Sequence, residues 1–305
     1  MAEAARGRPM ALGGFRGSAQ RVLIAVLRFA RANPAGAIGA VIVLAFLLAA
    51  VLADVVTPFT LDKVVARRLE GPLSTTFAGQ RLWIGSDELG RDLLTRLLHG
   101  GRTSLLVGLA APALGVTIAL LLGVSSAYFG GLVDLLVQRL VDVLLTVPSL
   151  VLVMAVILSF GFSMETVIVA IALSHIGGPA RVVRSQALSL REMQFVEAAK
   201  AIGASHWRII SRYLVPNTFA PVIVLIATGI GSAITTEATL SFLGLGIQPP
   251  QPSWGNMLSN AQRYFRMGPH IVLAPGLAIG LVVLAVNLFG DSLRDALDPR
   301  LRGRR

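Results

Sequence analysis

Cysteine is missing altogether from the 305 residues, and lysine occurs only at Lys63 and Lys200. Without a thiol the chain forms no disulfide, holds no thiolate-bound metal and has no cysteine nucleophile. Neither lysine stands in the Gly-Lys-Ser/Thr of a phosphate-binding loop, because Asp62 precedes one and Ala199 the other. Any ATP-driven work must therefore use another polypeptide's motor. Charge is scarce as well: 14% of residues are charged, against about 25% in ordinary soluble domains. The four histidines, His99, His175, His206 and His270, are scattered without metal-ligand spacing, and no Ser/His/Asp grouping stands out. The expectation is a non-catalytic chain with no cofactor or metal of its own.

What is abundant is apolar surface, with 54% hydrophobic residues and a mean hydropathy of +0.74. Crossing roughly 30 Å of hydrocarbon takes about 20 helical residues. Charge-free stretches of that length run over 32–53, 103–133, 143–164, 213–236 and 267–290. A sixth, 166–180, has 15 uncharged residues, about 22 Å of helix, so it must extend past Glu165 or let Arg181 reach the interface. The second stretch holds Pro112 and several glycines, and is expected to tilt or kink. The fold class is all-α, a polytopic membrane protein of about six transmembrane helices.

Six spans put both termini on one side. Counting Lys and Arg with cytoplasmic termini gives eighteen inside and nine outside, the sense the positive-inside rule favours. Seven of the outer nine lie in 54–102 beside six acids, so that segment is nearly neutral. The net charge of +11 thus reads as topology rather than nucleic-acid binding. The plan is a cytoplasmic tail (1–31), a first span (32–53), an extracytoplasmic loop with an amphipathic helix (54–102), a transmembrane core (103–290) and a cytoplasmic C-terminal tail (291–305). Thirty residues precede the first apolar run, too many and too basic for a cleaved leader. Phe15, Val22, Leu23, Val26, Leu27 and Phe29 alternate there with arginines, as in a basic helix on the lipid surface.

Within the cytoplasmic loop 181–216 the stretch "EAAKAIGASHWRIISRYLVPN" reads as two short amphipathic helices. Phe195, Ala198, Ala199 and Ile202 recur at helical spacing, Gly203 closes the first helix, and Ser205 caps the second. Trp207, Ile210, Tyr213 and Leu214 form the second apolar face, and Pro216 with Asn217 marks the break before the next span. A DNA-reading helix-turn-helix would need Arg, Asn or Gln leading its second helix, whereas this one begins Ser205-His206-Trp207. Two readings stay open on pattern alone: an interfacial hairpin lying on its own bundle, and a docking element for a soluble partner.

At these residues the sequence resembles a known family. Glu197-Ala198-Ala199, Gly203 and Pro216 are similar to the EAA motif of binding-protein-dependent ABC importer permeases, with Tyr213-Leu214-Val215-Pro216 where the family has Ile-x-Leu-Pro. "GSDELGRDLLTRLLHGGRTSL" (85–105) resembles the Gly-Thr-Asp-x-Leu-Gly-Arg-Asp segment of C-type dipeptide and oligopeptide permeases, with Ser86 for Thr. "TLSFLGLGIQPPQPSWGNML" (239–258) and "GDSLRDALDPRL" (290–301) are similar to that group's other hallmarks. The resemblance covers about 82–302; earlier residues match in plan only. It implies a type I ABC importer permease fold in a bacterial inner membrane, and docking to ATPase subunits through Glu197, Ala198, Ala199, Gly203, Ala204, Ser205, Trp207 and Pro216. It also implies a second permease subunit, two cytoplasmic ATPase subunits carrying ATP and Mg, and an extracytoplasmic solute-binding protein. Peptides are the implied cargo, with nickel chelates, glutathione or another small solute as the alternative; a stand-alone channel or ion-coupled transporter would instead work without partners.

Three further features are weighed on their residues. Asp87, Glu88 and Asp92 can be read as a cation site, or as the start of a helix capped by Ser86, with Leu89, Leu93 and Leu97 as its buried stripe and Asp92 paired to Arg96. Glu237, beside Thr236 near the outer end of the fifth span, lines the pathway or outer gate, or else is an interfacial carboxylate bonded to Thr235, Thr236 or Thr239. Pro249, Pro250 and Pro252 with Trp254 suggest a stiff outer loop with an aromatic anchor, which would suit a receptor-facing surface.

Overall fold

The computed structural model describes residues 30–297, and among them the regular structure is helical apart from three isolated β-bridges. The basic helix expected in the N-terminal tail lies outside the described residues. Helix α1 (Pro34–Val51) opens on a proline, which suits a first turn whose N–H groups have no partner. After the segment 57–92 comes α2 (Leu93–Phe129), 37 residues long and about 55 Å from end to end; Pro112 lies inside it without ending it. Next come α3 (Gly131–Thr146) and α4 (Ser149–Phe160), which meet at 94°. The bend follows from Pro148, since a residue before proline is pushed out of the helical region and Val147 is extended. α5 (Met164–Ser174) and α6 (Gly177–Arg191) form a second bent pair, at 49°. Two short helices, α7 (Gln194–Ala201) and α8 (His206–Ile209), precede a π-helical turn (Ile210–Leu214) and Val215–Asn217. α9 (Phe219–Phe242), the short α10 (Trp254–Ala261) and α11 (His270–Leu297) complete the order.

Among the described residues, four helices are long and apolar enough to cross a membrane, and the two bent pairs, taken as one span each, bring the number to six. The expected windows shift in three places. The second helix begins ten residues before the window, at Leu93. The third window straddles Pro148 and the 161–163 turn, because α3 is charged: Asp134, Arg139 and Asp142 belong to it. Those carboxylates face α6, where Arg184 Nε donates to Asp134 at 2.6 Å and Arg181 to Asp142 at 2.7 Å. Charge paired between neighbouring helices does not end a span. The fifth helix starts at Phe219, because Pro216 sits in a helical turn that Thr218 closes.

α2 is the axis of the bundle. Gly101, Gly108, Gly115 and Gly123 recur about every second turn on one face, and each is where a neighbour comes close: Trp254 of α10, Ile234 of α9, Ala172 of α5 and Ala180 of α6. Small residues that let backbones approach are the packing device of membrane helices. The same contacts fix direction: Gly115 meets Ala172 while Gly123 meets Ala180, so α5–α6 runs parallel to α2. α9 runs antiparallel, with Gly108 at Ile234 and Pro112 at Gly229, and α11 antiparallel to α9, with Gly231 at Asn287 and Gly290 at Thr228. α1 returns against α11, Gly36 meeting Ser292 and Gly39 meeting Ala285. The six traverses thus alternate, and the start of α1, the end of α11 and the α7–α8 hairpin share one end.

The segment 57–92 closes the opposite end. Asp92, not Ser86, caps α2: its carboxylate accepts from the Thr95 N–H at 2.8 Å and the Thr95 hydroxyl at 2.6 Å. Ser86 is buried and pins the loop, donating to the Arg67 carbonyl at 2.6 Å and accepting from the Glu70 N–H at 2.9 Å. Beside it Gly85 turns at φ +98° against the Glu70 carbonyl, a conformation and a closeness that a side chain would forbid. Arg96 reaches Asp87 (3.4 Å) rather than Asp92, and Asp87 also takes Arg91 Nε at 2.6 Å. Of the expected leucine stripe, Leu93 is buried and Leu97 packs beside it, while Leu89 precedes the helix and is exposed.

Candidate functional site

The hairpin is built as its residues dictate. Gly203 adopts φ +75°, the left-handed turn that lets the Ala204 N–H reach back to the Ala199 carbonyl at 3.0 Å. Ser205 caps α8, accepting from the Arg208 N–H. The inward face is Val196 and Ala199 of the first helix with Ile209 and Leu214 of the second, all buried in one cluster with Leu120, Val124 and Tyr128 of α2 and Val183 and Leu190 of α6. This corrects the expected stripe: Ala199 and Leu214 turn inward, but Phe195, Ala198 and Ile202 do not, and Trp207 stays largely exposed at the edge of a groove beside α2. Ile202 is 81% and Trp207 76% exposed. Glu197, Ala198 and Lys200 are exposed on the same side of the turn, and Phe195 leans on Tyr213. The hairpin therefore has two apolar faces, one satisfied by its own bundle and one open.

Trp207 also borders an apolar groove of about 270 Å³ whose walls include Leu121, Val124 and Phe129 of α2 and Ile210. Two contacts tie the hairpin to the end of α2, and a third ties the end of α6 to it. The Tyr128 hydroxyl lies 2.7 Å from His206 Nδ1, the His206 ring packs edge-on to Tyr128, and Arg191 Nη1 donates to the Ala127 carbonyl at 2.9 Å. Neither Tyr128 nor His206 was singled out by sequence. They are 78 residues apart, and no local spacing announces the pair.

Glu237 lies elsewhere. It is 0% exposed, clamped between α2 and α9: Ser104 donates to Oε2 at 2.9 Å and Ser241 to Oε1 at 2.7 Å. Neither expected environment holds. The carboxylate lines no surface of this chain, and Thr235, Thr236 and Thr239 each donate to a carbonyl of their own helix instead. Ser104 also accepts from the Trp254 N–H at 3.2 Å, so the clamp extends to α10. Trp254 is correspondingly no interfacial anchor: it is buried, its Nε1 donates to the Leu97 carbonyl at 2.9 Å, and Phe46 meets it edge-on. Pro250 remains exposed at that end of the bundle. The α10 start is fixed by a capping box in which Ser253 and Asn256 each bond the other's backbone.

An alternating helical bundle with a two-helix hairpin seated on one end, half buried and half open, defines a polytopic membrane subunit of transport type. Residues 115–303 match the family model for the binding-protein-dependent transport system inner membrane component. The chain is 40% identical to the dipeptide transport system permease protein DppC of Alkalihalophilus pseudofirmus over 88% of its own length and 87% of that protein's. It is likewise 40% identical to the glutathione transport system permease protein GsiD of Pectobacterium atrosepticum, over 90% of each chain. With the GsiD protein of Escherichia coli O157:H7 the identity is 42% over 72% of this chain and 73% of the other. The chain belongs to this family, the binding-protein-dependent ABC importer permeases, and has its type I permease fold.

Proposed function

We propose that the chain forms half of a translocation pathway for di- and oligopeptides and is driven by separate ATPase subunits docked on the α7–α8 hairpin. The observation that carries the docking is the open apolar face. Ile202 and Trp207 project from a hairpin whose other face is already buried, and tryptophan is a usual anchor of a protein interface. A second permease subunit completes the pathway, two ATPases bind ATP and Mg, and a solute-binding protein delivers cargo at the opposite end, where Pro250 is exposed. The hairpin and both termini face the cytoplasm of a bacterial inner membrane, and this chain itself is non-catalytic. Closure of the ATPases pushes the hairpin, and the Tyr128–His206 and Arg191–Ala127 contacts pass that displacement to α2 and α6, opening the bundle alternately to each side. Glutathione is the second reading of the cargo, supported by the relatives named for it.

The test is uptake into vesicles holding the whole complex. Dipeptides and tetrapeptides should enter only with ATP inside the ATPase compartment, faster than glutathione does. W207E should abolish ATPase binding while the chain still pairs with its permease partner, because a charge in a desolvated interface costs several kcal/mol. Uptake without ATPases, or wild-type docking by W207E, overturns the proposal.

A further inference from the structure

The polar residues of α9 fall on one line. Thr228, Ser232, Thr235 and Thr239 follow one another by three or four residues, so they share one helical face. Ser232 and Thr235 are exposed, although they lie in the middle of a traverse. His175, at the break between α5 and α6, places Nε2 3.0 Å from Ser232 Oγ, and the exposed Asn287 of α11 flanks the same face beside Gly231. Toward the hairpin end the line opens into a groove of about 570 Å³ bordered by Gln186, Asn217, Pro221, Val224, Thr228 and Arg294. Elsewhere the large outward residues of the traverses are mostly leucine, valine and phenylalanine, with single polar exceptions such as Thr117 and Ser159. A polar line at this depth is costly against lipid and marks a route for polar cargo.

The hydroxyls have a definite polarity. Thr228 donates to the Val224 carbonyl at 3.0 Å, Ser232 to Gly229 at 2.8 Å, Thr235 to Gly231 at 2.9 Å and Thr239 to Thr235 at 2.8 Å. With each hydrogen engaged by the helix itself or, for Ser232, by His175 Nε2, which accepts while Nδ1 donates to the Ile171 carbonyl, the oxygens offer only lone pairs outward. Steps of three or four residues space these acceptors by about 4.5–6 Å. Successive N–H groups along one edge of an extended chain are about 6.6 Å apart, close enough for a peptide to meet more than one acceptor at a time. A second copy of this face would bring further acceptors against them and leave both rows unpaired.

We propose that this face of α9 is the solute-contacting wall, an acceptor ladder that reads the backbone N–H groups of an extended peptide without regard to its side chains. This rests on the permease reading above and adds the surface and the chemistry. The missing cysteine makes the test clean: Thr228→Cys, Ser232→Cys, Thr235→Cys and Thr239→Cys introduce the chain's only thiol, in the assembled transporter. A small hydrophilic thiol reagent should label all four but not Val151→Cys or Leu158→Cys on the apolar α4. A transported tetrapeptide should slow that labelling on the order of five-fold, as about 1 kcal/mol of occupancy would, and the depsipeptide with esters for amides should not. Inert thiols, labelling that the peptide leaves unchanged, or equal protection by the depsipeptide overturns the wall assignment. Uptake by the unsubstituted complex is measured in the same vesicles: if no peptide is taken up, the permease reading itself fails, whereas uptake with an unprotected line refutes only the wall.

Discussion

Tyr128 and His206 make a hydrogen-bonded contact between the hairpin and a spanning helix, through which the proposed docking would pass displacement to α2. Their bond, at 2.7 Å, joins the last turn of α2 to the first residue of α8, and a neutral hydrogen bond of this kind contributes about 1 kcal/mol net. Tyr128→Phe keeps the ring packing and removes only the hydroxyl. The expectation is roughly five-fold faster amide exchange in α7 and α8, with less solute moved per ATP hydrolysed and ATPase binding unchanged; equal coupling in the variant would show that the bond transmits nothing. At this scale the sequence was legible where chemistry is local. Gly203 and Ser205 act on neighbours three to five residues away, so turn and cap could be read directly. Glu237 could be read only as an acid at depth, since Ser104, its partner on α2, is 133 residues distant. Trp254 misled for the same reason: prolines before it suggest an exposed loop, but the Leu97 carbonyl that takes its N–H is contributed by another helix.

Among the elements, α2 decides how closely the others assemble. Its glycines are not places of flexibility but of contact, and a side chain at Gly115 would run into the Ala172 carbonyl and His175 Cβ. Gly115→Leu should lower stability in detergent by about 1–3 kcal/mol, the usual cost of overpacking, seen as an earlier melting temperature, whereas Gly178→Leu, where a Cβ meets nothing within 4 Å, should melt as wild type. Equal melting of the two variants would refute the close-approach account. The elements were legible as far as hydropathy alone forms them: α1 sits close to its window, and α9 and α11 overlap most of theirs. α3 was not, because its aspartates look like the end of a span until the arginines of α6 are seen opposite them. The amphipathic helix expected in the outer loop is the first turns of α2, moved inward because Asp92 takes the capping role.

For the whole molecule, alternation of six traverses ties every end to every other, so one labelled position orients all. The hairpin end carries exposed Lys200, Arg208 and Arg212. At the other end Arg91 is paired with Asp87 and Glu88, and Arg102 with Asp54. Arg91 and Arg102 thus meet carboxylates folded against them, while Lys200, Arg208 and Arg212 are exposed at the hairpin. By the positive-inside rule the bias of eighteen basic residues to nine would place the hairpin end in the cytoplasm. Phe77, 72% exposed in the opposite cap, and Lys200 at the hairpin give two readouts of one orientation. In intact cells an impermeant thiol reagent should label Phe77→Cys and leave Lys200→Cys untouched until the membrane is opened. The reverse pattern would invert the molecule and put the hairpin out of reach of any ATPase, removing the docking proposal with it; labelling of both positions in sealed cells would instead break the alternation of traverses on which the fold's sidedness depends.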